Sequence, residues 1–261
     1  RGLGDVYKRQ NNICAVTAAM KYGTGLQYFS KAFPKRFFDV GIAEQHAVTF
    51  CAGLASQGKL PVFAVYSSFL QRSYDQLIHD CAIENRHIVL GIDRAGFVGE
   101  DGETHHGLFD VAMLSTVPTA TLYSPCDTSE LSVCLEQALY SDTGISAVRY
   151  PRGCELSHSD TDKYCDYKYI SGGNKKLVFV YGRIAAYAKD LSDTADILQA
   201  IKIYPISDEI IKICLEYDEI YVFEEGERDG GIAQKLCTAL VIAGYKGCLL
   251  YTSPSPRDTE R

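Results

Sequence analysis

Five polar side chains, Glu44, Arg94, Asp101, His105 and Arg152, are of types that exchange protons or grip anions, and each falls where a strand-like run gives out. Glu44 follows FFDV (37–40). Tyr66 and Phe69 close and follow PVFAVY (61–66). Arg94, Asp101 and His105 follow HIVLGID (87–93), and Arg149 and Arg152 lie at and just past the last run of the first half, ISAVRY (145–150). In an open parallel α/β sheet the carboxyl ends of the strands form the rim where ligands bind. A cleft there lined by a carboxylate, aromatic rings, a histidine and arginines suits a small anionic substrate. Guanidinium forks match phosphate oxygens, and a histidine near its ordinary pKa can donate to a developing alkoxide. From position alone Glu44 has a second reading, as a solvated first-turn carboxylate favoured by the helix dipole.

The elements that must position these groups alternate. The run 37–40 reads as a short buried strand, turned at Gly41 into a helix whose apolar positions Ala43, Ala47, Phe50, Cys51 and Leu54 recur at helical spacing. The Ala-rich stretch 12–22 reads as a helix before it. Ser68 with Gln71 three residues on has the capping-box pattern, opening a helix with an inward stripe of Leu70, Tyr74, Leu77, Ile78 and Cys81. Phe69, Arg72 and Gln76 lie off that stripe and face a cleft. The continuous apolar run 87–93 is that of a strand buried on both faces, and the polar, glycine-bearing loop after it carries Asp101 and His105. Strands at 119–123 and 145–150 are separated by a helix that Asp127 and Glu130 would cap. This alternation predicts a doubly wound, mostly parallel α/β sheet. The stretch 154–176 is polar and without apolar period, which marks a linker. Beyond it a smaller α/β unit follows, with strands at 177–181 and 219–224, a helix opened by Pro205 and Ser207, and a second helix entered by Gly230–Gly231. That Gly-Gly start has an anion-binding turn as one reading.

Composition narrows the classes. At 46% apolar and 23% charged the chain is an ordinary globular one, long enough for about two domains at ~150 residues each. A net charge of −7 with no basic stripe argues against nucleic acid or an anionic membrane as partner. No apolar run approaches the ~20 residues of a transmembrane helix. Ten cysteines without a C-x-x-C pair suggest neither zinc nor a disulfide framework, and point to the cytoplasm. A metal site built on His105 and His106 lacks a third ligand at helical spacing.

Three runs in order, DVGIAEQHAV, YSSFLQRSYDQLIHD and DRAGFVGEDGETHHG, resemble the 1-deoxy-D-xylulose-5-phosphate synthase family, thiamine-diphosphate-dependent relatives of transketolase. The resemblance is nearly gap-free over 11–153 and weaker to about 247. It implies a pyrimidine-binding domain of the transketolase type at 11–153, a linker at 154–176 and a truncated transketolase carboxyl-terminal domain at 177–248. It implies that Glu44 contacts the aminopyrimidine of thiamine diphosphate and relays its proton, and that Phe69 stacks on that ring. Arg94 and Arg152, with Tyr66 and Arg72 beside them, would hold the substrate phosphate, while Asp101 and His105 meet the acceptor substrate. The implied reaction joins pyruvate, with loss of carbon dioxide, to D-glyceraldehyde 3-phosphate, for isoprenoid, thiamine and pyridoxal synthesis.

The family's amino-terminal domain, whose GDG…N motif grips the diphosphate through magnesium, has no counterpart in this sequence. The expectation is an isolated chain that is inactive and a full-length homodimer. The segments 1–10 and 249–261 resemble translated adapter sequence and are expected to lie outside the fold. A β-type half-subunit of a split transketolase or 2-oxo acid dehydrogenase, working beside a separate partner chain, remains the alternative.

Overall fold

The computed structural model describes residues 12–252 apart from 154, 155, 157, 158 and 160. The first element corrects the sequence reading. Within 12–22, expected as a helix, Ile13–Thr17 is a strand (β1) with all five residues buried. β-Branched Ile13, Val16 and Thr17 interleave with small Cys14 and Ala15, so both faces can be covered closely. The alanine count misleads because Ala18 and Ala19 come after the strand, and Ala19 turns the chain at φ 62°.

β1 sits inside a seven-stranded sheet with β2 (Phe37–Asp39), β3 (Leu60–Tyr66), β4 (Ile88–Asp93), β5 (Ala120–Tyr123), β6 (Ile145–Tyr150) and β10 (Lys202–Tyr204). The order is β10-β5-β6-β4-β3-β1-β2. Every pair is parallel except β10 with β5. β2 is an edge strand, only half buried, rather than the buried strand expected. The chain runs from β1 outward to β2 and then returns to the other side of β1 as β3. That reversal opens a crevice at the carboxyl ends of β1 and β3.

Alternation along the strands feeds two cores. Val62, Ala64 and Val89 pack with Leu26 and Phe29 at helix α1 (Gln27–Ala32), while Phe63, Val65 and Leu90 pack on the opposite face. On that second face lies α2 (Glu44–Ser56), which buries Glu44, Ala47, Val48, Cys51 and Ala52. The next helical stretch starts at Ser67, one residue earlier than expected, and α3 (Ser67–Leu70) has no side-chain cap. The capping box does not form, and neither the Ser67 nor the Ser68 hydroxyl finds a hydrogen-bond partner among the described residues. The stretch tightens to 3₁₀ over Gln71–Ser73 and loosens to a π-helix over Leu77–Ala82. This change of pitch keeps Leu70, Leu77 and Cys81 inward but turns Tyr74 outward, where it bonds Thr116 at 2.6 Å. α4 (Asp110–Leu114) and α5 (Thr128–Tyr140) follow. Asp127 caps α5 as expected, accepting from Ser129 N and Glu130 N at 3.0 and 2.9 Å.

Part of the stretch expected as a linker is structured: β7 (Tyr167–Ile170) is the antiparallel edge of a second sheet. That sheet runs β12-β11-β8-β9-β7, with β8 (Lys176–Tyr181), β9 (Asp196–Ala200), β11 (Glu219–Phe223) and β12 (Cys248–Thr252) parallel. Segment 249–261, expected outside the fold, thus begins within β12, while its remainder and 1–10 lie outside the described residues. Helices α6 (Asp208–Cys214, capped by Ser207) and α7 (Ile232–Ile242) belong to this unit, as does a single helical turn at Ala185–Ala188. The Gly-Gly entry to α7 is no open anion turn. Glu224 fills it, accepting from Ile232 N at 3.0 Å and Ala233 N at 3.3 Å, and a Cβ at Gly231 would stand 2.7 Å from that carboxylate.

Candidate active site

The sequence-derived residues converge at the carboxyl ends of β3, β4 and β6 and beside the start of α2. They form one unbroken run of contacts. Glu44, 2% exposed, lies 3.8 Å from Arg72 Nη1 through Oε2. Arg72 stands over the Phe69 ring at 5.9 Å. Phe69 stacks with Tyr66 (centroids 5.6 Å, 23°) and meets the edge of His105 at 5.4 Å. Arg94 covers the Tyr66 ring at 3.7 Å, and its Nε donates to Asp101 Oδ2 at 3.2 Å. Asp101 Oδ1 completes the run with Arg152 Nη1 at 2.8 Å.

Local chain geometry sets these positions. Arg94 follows β4 at φ 64°, a left-handed conformation that costs a non-glycine residue about 1–3 kcal/mol and persists only where neighbours fix it. They do: Ala95 N donates to Tyr150 O at 3.0 Å, and the Arg94 guanidinium also ion-pairs with Asp93 at 3.1 Å and donates to Gly23 O at 3.3 Å. The loop carrying Asp101 and His105 is closed at its base by reciprocal bonds of 2.8 Å between Gly96 and Gly107. Gly107 permits the closure, since a Cβ there would lie 2.2 Å from Arg94 O. His106 is structural, accepting Val98 N at 3.2 Å through Nδ1, whereas Nδ1 of His105 meets Thr104 Oγ1 at 2.9 Å.

Two members carry displaced pKa values. Burial pushes Asp93 up to about 6, although the charge and hydrogen bonds of Arg94 pull it down. Burial also raises the Tyr66 phenol, again opposed by Arg94. The Glu44 carboxylate accepts no hydrogen bond from the described residues, its Arg72 partner standing 3.8 Å off, so it has acceptor capacity for a donor from elsewhere. Together with the ring of Phe69, that fits an aromatic ring bearing a ring-nitrogen donor. Among the described residues no group of three or more His, Cys, Asp or Glu could hold a metal, and no helix is long and apolar enough to cross a membrane.

Arg149, counted on the rim by sequence, is instead buried beneath it. Its guanidinium holds Asp110 at 2.9 and 3.2 Å and the carbonyls of Gly107 and Glu225 at 3.4 and 3.1 Å. Gly23 and Asp93 were missed. Reading 12–22 as a helix left the turn that carries Gly23 away from the carboxyl end of any strand. Asp93 looked like the end of an apolar strand.

Comparison with known proteins agrees with this layout. Residues 1–154 match the model of the transketolase pyrimidine binding domain. A 1-deoxy-D-xylulose-5-phosphate synthase of Clostridium botulinum (strain Alaska E43 / Type E3) is 40% identical over 258 residues, covering 94% of this chain and 41% of that protein. One from Chlorobaculum tepidum is 62% identical over 151 residues, covering 58% of this chain and 24% of the relative. The chain therefore spans less than half the length of these curated relatives. A solved split gene transketolase, described as an inactive beta4 tetramer, superposes with a TM-score of 0.84 at 20% identity, covering 97% of this chain and 86% of that one. At that identity the likeness speaks for the fold, an α/β architecture with a mostly parallel sheet and a second smaller one. With more than half of its residues under the family model, this chain belongs to the transketolase pyrimidine-binding domain family.

Proposed function

We propose that this chain forms the pyrimidine-side half of the active site of a 1-deoxy-D-xylulose-5-phosphate synthase. The observation that carries the reading is the single run of contacts from Glu44 to Arg152, which links a buried carboxylate with open acceptor capacity to the guanidinium groups of Arg94 and Arg152. When bound, thiamine diphosphate supplies the carbon nucleophile and electron sink for decarboxylating pyruvate and passing its two-carbon remainder to an aldehyde. Glu44 would hold the aminopyrimidine by a hydrogen bond at its carboxylate and exchange a proton at that oxygen, and Phe69 would supply the stacking face. Arg94 and Arg152, with Tyr66 against Arg94, hold the phosphate of D-glyceraldehyde 3-phosphate, whereas Arg72 stands at the Glu44 end of the run. His105 donates to the oxygen that gains charge as the acceptor aldehyde is attacked, and Asp101 orients the arginines and the acceptor.

The diphosphate and its Mg2+ belong, on this reading, to an amino-terminal domain of the same protein. The active species is a homodimer in the cytoplasm, and this polypeptide alone is inactive. A second reading, a β-type half-subunit working beside a separate chain, draws on the likeness to a split gene transketolase over 97% of this chain. One experiment separates them. Residues 11–247 are fused behind the amino-terminal domain of a close relative and assayed with pyruvate, D-glyceraldehyde 3-phosphate, thiamine diphosphate and Mg2+. Activity that disappears in Glu44→Ala supports the synthase. A folded, cofactor-binding fusion that forms no product shifts weight to the half-subunit.

A further inference from the structure

We propose that Gly23 is a positioning residue of the anion clamp, holding Tyr66 and through it Arg94 in the geometry that receives a phosphate. The inference rests on the phosphate-binding reading of Arg94 given above. Gly23 lies in the loop after β1, which the strand order brings beside the carboxyl end of β3. A Cβ built on Gly23 would stand 1.7 Å from Tyr66 Oη and 2.7 Å from Cζ. The tyrosine ring therefore occupies the volume that any other residue at position 23 needs. Gly23 has an ordinary φ, so space and not backbone freedom is what selects glycine here.

The loop cannot retreat to make room. Thr24 N and Oγ1 donate to Met20 O at 3.0 and 2.9 Å, and Leu26 N donates to Lys21 O at 2.9 Å. Ala19 N is held by Asp39 Oδ1 at 2.8 Å, and the Tyr66 amide itself donates to Met20 Sδ at 3.4 Å. A side chain at 23 must therefore displace the Tyr66 ring. That ring is the platform for Arg94, whose guanidinium lies 3.7 Å from its centroid and donates to the Gly23 carbonyl. One glycine thus fixes the guanidinium twice, by its carbonyl directly and by its missing Cβ through Tyr66.

The test uses the full chain and inorganic phosphate, followed through the Nε–Hε resonance of Arg94 in NMR titrations of wild type, Gly23→Ala, Arg94→Ala, Tyr66→Ala and the Gly23→Ala/Tyr66→Ala double variant. In Arg94→Ala, where that resonance is gone, phosphate is followed by the Arg152 signal. Wild type shows saturable binding that Arg94→Ala removes. Gly23→Ala weakens it roughly tenfold or more, the cost of one misplaced charge-assisted hydrogen bond. In the Tyr66→Ala background the same substitution weakens it no further, a non-additivity expected only if Gly23 acts through the ring. Should Gly23→Ala fail to fold, the comparison of double variant with Tyr66→Ala still decides, since the colliding ring is absent from both. Wild-type affinity in Gly23→Ala, or an equal loss in both backgrounds, overturns the inference and leaves the clamp standing. Binding that is absent from wild type or indifferent to Arg94→Ala overturns the clamp reading and the inference with it.

Discussion

Asp101 Oδ1 and Arg152 Nη1 stand 2.8 Å apart, and the second oxygen of the same carboxylate accepts from Arg94. Asp101 thus occupies donors on both arginines that a phosphate would use. A dianion entering the clamp competes with this internal carboxylate or shares its donors. Asp101→Asn removes the competing charge and keeps the shape. Inorganic phosphate is then expected to bind about three- to tenfold more tightly at low salt, with the gain shrinking as salt screens the half-exposed Arg152. A titration showing equal or weaker affinity would refute the competition.

Beneath Arg94, the buried Asp93 makes stability depend on pH. Its folded value of about 6 lies above the ordinary carboxylate value near 4, so the folded protein holds the proton more tightly than the unfolded chain. The sign follows: its contribution is fully present below about pH 4 and is lost as pH rises through 6. Asp93→Asn should flatten the dependence of unfolding free energy between pH 4 and 6 and add up to about 3 kcal/mol at pH 7 relative to wild type. Urea titrations at a series of pH values measure this, and an unchanged slope would count against it.

The two arginines of ISAVRYPR differ in burial and in partners. Arg149 is buried with Asp110 at 2.9 Å, and deleting one partner of such a pair leaves an uncompensated charge at a cost of about 3–5 kcal/mol. Arg152, with its side chain 36% exposed, should cost under about 1 kcal/mol when truncated. Denaturation midpoints of Arg149→Ala and Arg152→Ala will show the contrast, while phosphate binding should respond directly to Arg152→Ala. Equal midpoints for the two variants would contradict the division.

Legibility in the sequence followed the physics of each segment. Strands buried on both faces, such as β3 and β4, announce themselves as apolar runs, and the residues after them could be placed together because parallel strands end along one edge. β1 escaped because alanine is small enough for either a tightly covered strand or a helix, and without β1 the turn holding Gly23 had no place on the rim. β10 is only three residues long and joins the first sheet through its pairing with β5 across a long sequence gap, which no local period can reveal. The strand β7 within the polar 154–176 stretch is half exposed, so its pattern never rises above its surroundings. Whether Arg149 serves the site or the core was equally hidden, because its partner Asp110 is 39 residues away.

The second sheet has its own polar anchor, and it carries the last prediction. Asp196 opens β9 and is buried, yet its carboxylate accepts from Ser171 Oγ, the amides of Gly172 and Asn174, Asn174 Nδ2 and Tyr217 Oη, all within 2.6–3.1 Å. Burial alone would raise its pKa, but these hydrogen bonds outweigh burial and hold it well below the usual carboxylate range. The stabilisation is therefore present above about pH 4 and lost as pH falls toward the folded value. Replacing the carboxylate leaves several buried donors without an acceptor, so Asp196→Ala should cost about 3–5 kcal/mol near neutrality. The loss should also appear locally, as faster hydrogen exchange in β7 and β9, whose antiparallel pairing the Ser171–Asn174 turn adjoins. Acid should then separate the two proteins less and less: wild type loses stability steeply below pH 4, and Asp196→Ala, lacking the group that titrates, loses less. A gap between them that persists undiminished to pH 2 would mean that packing, and not the carboxylate's hydrogen bonds, holds this corner together.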